Sequence, residues 1–182
     1  MAVSNTINNL GSRIIDFSLK GVDEKIYSLR DRENKGITVI IFMCNHCPYV
    51  KGVVDRFVTF QEEYKNKGVR LFGINSNDPS DHPDDSFEKM KVFSDKHKIN
   101  FPYLIDETQE TAHAYDAVCT PDIYVYDENN FLRYRGRLDN NWKEEDKVTE
   151  KDLEKAVNIL LEGKEIDFPQ IPSMGCSIKW KS

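Results

Sequence analysis

The sequence predicts an α/β fold, a central mixed β-sheet flanked by helices, on three observations. Ile37 to Met43 is a β-branched run without polar alternation, the pattern of a strand buried on both faces of a sheet. From Pro48 the period changes, and Val50, Val53, Val54, Phe57, Phe60 and Tyr64 recur every three or four residues until Gly68, which predicts an amphipathic helix. Val69 to Asn75 reads as a second buried strand, so the three segments compose a β-α-β unit whose crossover is expected to be right-handed.

The remaining elements follow in order. Ile14 to Leu19 and Lys25 to Leu29, parted by the turn Gly21-Val22-Asp23-Glu24, predict an N-terminal β-hairpin extension. Ser76 to Asp85, with Pro79, Pro83, Asp78, Asp81, Asp84 and Asp85, reads as an exposed, solvated loop before a helix near Ser86 to His97. Phe101 to Ile105 is a short extended piece and Thr108 to Tyr115 a short helix. Asp122 to Tyr126 and Phe131 to Gly136 flank Asp127-Glu128-Asn129-Asn130 as a hairpin. An amphipathic helix over Thr149 to Leu161 precedes a tail that carries Cys176. Residues 1–182 are thus expected to form one domain, with a core over about 12–162 and a C-terminal tail over 163–182.

Composition narrows the function. The chain has 182 residues, 39% apolar and 31% charged, with a net charge of -6, so no basic excess attracts nucleic acid or an anionic membrane. The apolar run Val39 to Cys44 is too short to span a bilayer, and Met1 to Gly11 lacks the basic-then-apolar pattern of a leader. The cytoplasm is the expected compartment. Four cysteines make no disulfide scaffold, and in a reducing compartment a close pair is more often catalytic or metal-binding.

Cys44-Asn45-His46-Cys47 lies where the central strand passes into the long helix. A helix N-terminus favours an anion, so a thiolate at Cys44 is expected there, and a thiol three residues on can resolve a mixed disulfide internally. Pro48 stiffens the first turn. His46 is expected to depress the Cys44 pKa; a fall from ~8.5 to ~6 would gain little in attack but would make the disulfide more oxidising. A zinc site would want a second cysteine or histidine pair, which neither Cys119 nor Cys176 supplies. His82, His97 and His113 read as surface or helix residues, and Cys176, near Lys179 and Lys181, as a plain tail cysteine ahead of the alternative of a resolving or partner thiol.

With Cys119-Thr120-Pro121 before the strand Asp122 to Tyr126, the chain resembles the thioredoxin-like superfamily, nearest to peroxiredoxin-like and TlpA-like redoxins of the AhpC/TSA type. The likeness is carried by Asp16-Phe17-Ser18-Leu19, Phe42 to Tyr49, Val118 to Pro121 and Gly175 to Trp180. It implies a thioredoxin-like fold with a cis Thr120-Pro121 bond facing the cysteine pair, Thr120 lining the substrate groove and Pro121 beside the catalytic thiols. It implies a thiol-disulfide oxidoreductase acting on protein or small-molecule disulfides and thiols, supplied by an external thiol reductant, with no cofactor and no resident metal. Pro48 and Cys119 join Thr120 as substrate-side candidates, Cys119 being weighed equally as a packed residue and a third redox thiol. Met43 stands where thioredoxins have tryptophan, and the strand Ile37 to Met43 holds no acid to accept a proton, which leaves Glu24 and His46 as weak candidates. Ile37 and Ile41 replace the proline and threonine of the peroxiredoxin pattern, which counts against the alternative of a thiol peroxidase using Cys44. A copper carrier of the Sco type is the alternative of another class, with two thiolates as soft Cu(I) ligands.

Overall fold

The structure, a computed structural model, describes residues 2–31 and 36–182. Its elements in chain order are β1 (Ala2–Ser4), β2 (Ser18–Gly21), β3 (Ile26–Ser28), β4 (Ile37–Phe42), α1 (Pro48–Tyr64), β5 (Val69–Asn75), α2 (Phe87–His97), β6 (Tyr103–Ile105) and α3 (Glu110–Ala114). There follow β7 (Cys119–Thr120), β8 (Asp122–Tyr126), β9 (Leu132–Gly136), α4 (Asp152–Leu161) and β10 (Met174–Ser177).

The β-branched run becomes β4, buried at all six residues at the heart of a seven-stranded sheet ordered β3-β2-β6-β5-β4-β8-β9. β4 pairs parallel with β5 and antiparallel with β8, so the sheet is mixed as expected. Successive side chains of a strand point to opposite faces, and β4 accordingly feeds two cores. Val39 and Ile41 pack with Val53 and Phe57 of α1 and Leu153 of α4. Ile40 and Phe42 pack with Phe72, Ile74 and Tyr124 on the other face. Helix α1 buries the residues its period marks and starts with Pro48 in its first turn; a 3-10 turn over Lys65–Lys67 follows it and is closed by Gly68 at φ +78°, a left-handed conformation glycine adopts without steric cost.

Two departures shape the site. The N-terminal hairpin begins at Ser18 rather than Ile14, because the preceding segment runs beside the start of β9: Ile14 donates its N–H to Asn130 O at 2.9 Å. The predicted tail is not peripheral. β10 is the middle strand of a second sheet ordered β1-β10-β7, so residues from both chain ends close over the Thr120 segment. Beneath that layer, Arg135 and Asp122 form an ion pair at 2.9 Å with side chains 2% and 0% exposed. Arg135 also donates to Thr6 O and Asp116 O, and Asn5 to Asp122, which fastens the N-terminal segment to the sheet. Among the described residues no helix is long and apolar enough to cross a membrane.

Candidate active site

Cys44 to Cys47 is the turn between the C-terminal end of β4 and α1. The helix starts at Pro48, so its N-cap is Cys47, with φ -64° and ψ 123°, and Cys44 stands three residues ahead of it. The unpaired N–H groups that favour an anion therefore serve Cys47 rather than Cys44. Opposite the turn, Thr120 precedes Pro121 through a cis peptide bond and touches both thiols. Its hydroxyl lies 3.3 Å from Cys44 Sγ, and its carbonyl accepts from Cys47 Sγ at 3.1 Å. Both cysteines are fully buried.

The acidic segment differs from the solvated loop the sequence predicts. Asp84 faces water, but Asp85 is completely buried against the cysteine turn. One of its oxygens accepts the backbone N–H groups of Asn45 at 2.7 Å and His46 at 3.1 Å; the other takes Asn77 Nδ2 at 2.7 Å and pairs with His46 Nδ1 at 2.5 Å. Burying a carboxylate is costly without such partners, and these four explain its place inside. The His46 ring, with its side chain 21% exposed, has Nδ1 at 3.9 Å from Cys44 Sγ and stacks on His82 at 4.5 Å. His82 is thus part of the site rather than an isolated surface residue. Among the described residues, Cys44, His46 and Asp85 bring one ligand atom each within 4.8 Å of one another. Asp85 and His46 already satisfy each other there, so a metal would have to displace that pairing.

The electrostatics reverse the expectation of a depressed Cys44 pKa. Burial, the neighbouring Cys47 thiol and the Asp85 charge push Cys44 well up. Cys47 is lowered to about 4, first by its contact with the Cys44 thiol, then by the Val50 amide of α1 and the Cys176 thiol, against the opposing effect of burial. The two titrate as a pair that gives up one proton readily and holds the second. The retained proton rests on Cys44; when it passes to Cys47, the Thr120 carbonyl 3.1 Å away accepts a hydrogen bond from that thiol.

The other sequence candidates separate. Pro48 is exposed at the start of α1. Cys119 is fully buried, its thiol turned to Pro121 O at 3.6 Å, and burial with the nearby Asp122 charge raises its pKa far above the ordinary thiol range. Its burial and raised pKa favour the packed reading of the two. The third thiol beside the pair is Cys176, which packs against the cluster holding Cys47 and lies opposite Thr120 in the β7–β10 ladder. Glu24 pairs with Lys20 and Lys91 at the surface, away from the thiols. His97 bonds Asp55 at 2.8 Å and His113 stacks on Trp180 at 4.1 Å, so both serve local packing. Nothing in the local sequence separates Asp85 from Asp84; only the fold buries one of them. For Cys176 the sequence leaves a resolving or partner thiol as the second reading, behind a plain tail cysteine.

The AhpC/TSA family model matches residues 10–135. The chain is similar to an uncharacterized conserved protein from Geobacillus kaustophilus, with 42% identity, coverage of 100% of this chain and 97% of that one, and a TM-score of 0.93. It is 24% identical to the thiol-disulfide oxidoreductase ResA from Halalkalibacterium halodurans, over 65% of this chain and 63% of the relative. It is 30% identical to the chloroplastic peroxiredoxin Q of Populus jackii, over 58% of this chain and 47% of the relative. The chain therefore spans under two thirds of the length of these two relatives. A thioredoxin-like protein solved in its oxidised form, 22% identical with a TM-score of 0.59, shows the fold to be thioredoxin-like.

Proposed function

This chain belongs to the AhpC/TSA family, and from that premise we propose that it is a thiol-disulfide oxidoreductase working through Cys44 and Cys47. The observation that carries the reading is the double contact of Thr120, hydroxyl to Cys44 and carbonyl to Cys47, across a turn that holds the two thiols together. Passing the retained proton from Cys44 to Cys47, whose thiol then donates to the Thr120 carbonyl, leaves a thiolate on Cys44 to which the Thr120 hydroxyl donates. Cys44 attacks the substrate disulfide, one substrate sulfur leaves as thiolate, and Cys47 then attacks Cys44 Sγ to release the second. Asp85 holds the turn through the Asn45 and His46 amides and orients the His46 ring beside Cys44. A recess of about 380 Å³ beside Pro121, lined in part by Val53, Trp142 and Met174, offers an apolar seat for the partner's flank. The partners are disulfides or thiols of proteins or small molecules, and an external thiol reductant closes the cycle.

The test is disulfide turnover coupled to a thiol reductant. Cys44→Ser abolishes it, and Cys47→Ser accumulates a mixed disulfide on Cys44. Undiminished turnover by Cys44→Ser would refute the reading.

A further inference from the structure

Cys176 packs against the buried cluster that holds Cys44 and Cys47, directly across the β7–β10 ladder from Thr120, whose hydroxyl and carbonyl touch those two thiols, and the two-cysteine mechanism gives this placement no task. We propose that Cys176 is a third redox thiol of the site, which takes Cys47 over from the Cys44–Cys47 disulfide and stores the oxidation as Cys47–Cys176 while returning Cys44 as a free thiol. This rests on the reading of Cys44 and Cys47 as a redox pair.

The backbone delivers Cys176 to this place. β10 runs antiparallel to β7 with Cys176 directly opposite Thr120 and Ser177 opposite Cys119. Residues opposite one another in an antiparallel pair project to the same face, and Thr120 projects toward the cysteine pair, so Cys176 does too. A slip of one residue would turn it away. The register is held on both sides. Upstream, Asn5 N–H bonds Ser173 O at 3.2 Å and the Ser173 hydroxyl bonds Gly136 O at 2.7 Å. Downstream, Ile178 N–H bonds Val118 O at 3.1 Å, and the Lys179 backbone is gripped by Asn77, Asp78 and Gln109.

Gly175 makes the approach possible. A Cβ there would lie 2.0 Å from Thr120 O and 3.1 Å from Pro121 N, so no side chain fits between β10 and the cis peptide. The tail strand thus occupies the edge of the Thr120 segment and brings a third sulfur to the side of the pair that Thr120 faces.

In the exchange, the Cys176 sulfur attacks Cys47 Sγ. The Cys44–Cys47 bond breaks as the Cys47–Cys176 bond forms, and the electron pair of the broken bond leaves with Cys44. The proton given up by Cys176 ends on Cys44, so the step is an isomerisation that consumes no oxidant or reductant. The charge state favours this order. In the reduced chain Cys176 is held up at about 11 by burial and by Cys47, which suppresses its reactivity; once Cys47 is in a disulfide its charge is gone, while Lys179 remains near Cys176 as a favourable cation.

The full chain is oxidised with one equivalent of oxidised glutathione, quenched in acid, alkylated, and its disulfide-linked peptides mapped by mass spectrometry. A Cys47–Cys176 link with alkylated Cys44 is expected beside Cys44–Cys47, and Cys44→Ser is expected to collect only Cys47–Cys176. Gly175→Val, which displaces the strand while keeping every cysteine, is expected to lower the Cys47–Cys176 fraction at least tenfold. If Cys44–Cys47 forms and disulfide turnover proceeds but Cys47–Cys176 appears in neither wild type nor Cys44→Ser, the inference falls while the oxidoreductase reading stands. If no link forms among the three cysteines and turnover is absent, both fall. If Cys47–Cys176 forms while Cys44–Cys47 and turnover are both absent, the link arises without the exchange and both readings fall.

Discussion

Asp85 accepts the backbone N–H groups of both Asn45 and His46, so a carboxylate 40 residues downstream of Asn45 braces the turn that separates the two cysteines. Replacing it with asparagine turns part of an acceptor into a donor that faces buried N–H groups. Asp85→Asn is expected to lose about 2–3 kcal/mol of stability, the cost of leaving buried donors unpaired. Urea unfolding of the reduced chain measures it, and a loss under 0.5 kcal/mol, the scale of an ordinary surface change, would remove Asp85 from this role.

The same charge helps to hold the second proton of the cysteine pair. Burial is the main cause of the raised Cys44 pKa, with Cys47 and then Asp85 behind it. Asp85→Asn should therefore bring the second thiolate, followed by absorbance at 240 nm, to lower pH. An unchanged or upward shift would contradict the assignment.

A pair that has already lost one proton near neutrality takes up one proton, not two, when its disulfide is reduced. With Cys47 lowered to about 4 and Cys44 raised, this holds across pH 5–8. The reduction potential should become more negative by ~30 mV per pH unit over that range instead of ~59 mV, since a tenfold factor in a two-electron couple is ~30 mV. Equilibration with a dithiol buffer at several pH values gives the slope, and ~59 mV per unit would show both thiols protonated.

Stability carries the same signature. A Cys47 pKa depressed from 9.0 to about 4 means that the unfolded chain binds more protons between those values. Its stabilising effect is complete above the unfolded value and is lost as pH falls toward about 4. Cys44 is neutral in both states below pH 9, so it does not offset this. The reduced chain should lose stability from pH 8 to pH 5, and the Cys44–Cys47 disulfide form, whose sulfurs no longer titrate, should lose less. Parallel denaturation curves of the two redox forms decide it.

Asp122→Ala leaves Arg135 buried without its carboxylate and frees Asn5 from its anchor. Breaking one side of a buried pair costs about 3–5 kcal/mol, and that loss is expected in equilibrium unfolding. Because Asn5 lies next to β1, protease cleavage near residues 5–9 should also quicken.

The sequence by itself determined the strand, turn and helix that carry Cys44 and Cys47. Ile37 to Met43, Pro48 and the three-four spacing from Val50 to Tyr64 are local signals, and burial on both faces of a sheet leaves them little freedom. It also marked Thr120-Pro121, through likeness to a family. Tertiary structure alone decided the rest: it buried Asp85 and left Asp84 in water, and it turned Cys119 into the packing. It set Cys47 against the Cys44 thiol and the Val50 amide, which moved the favoured thiolate from Cys44 to Cys47, and it laid β10 across Thr120 so that Cys176 comes up beside the pair. Each of these depends on groups distant in sequence being brought within a few ångströms, where desolvation and hydrogen bonding act, and no local pattern of residues encodes that distance.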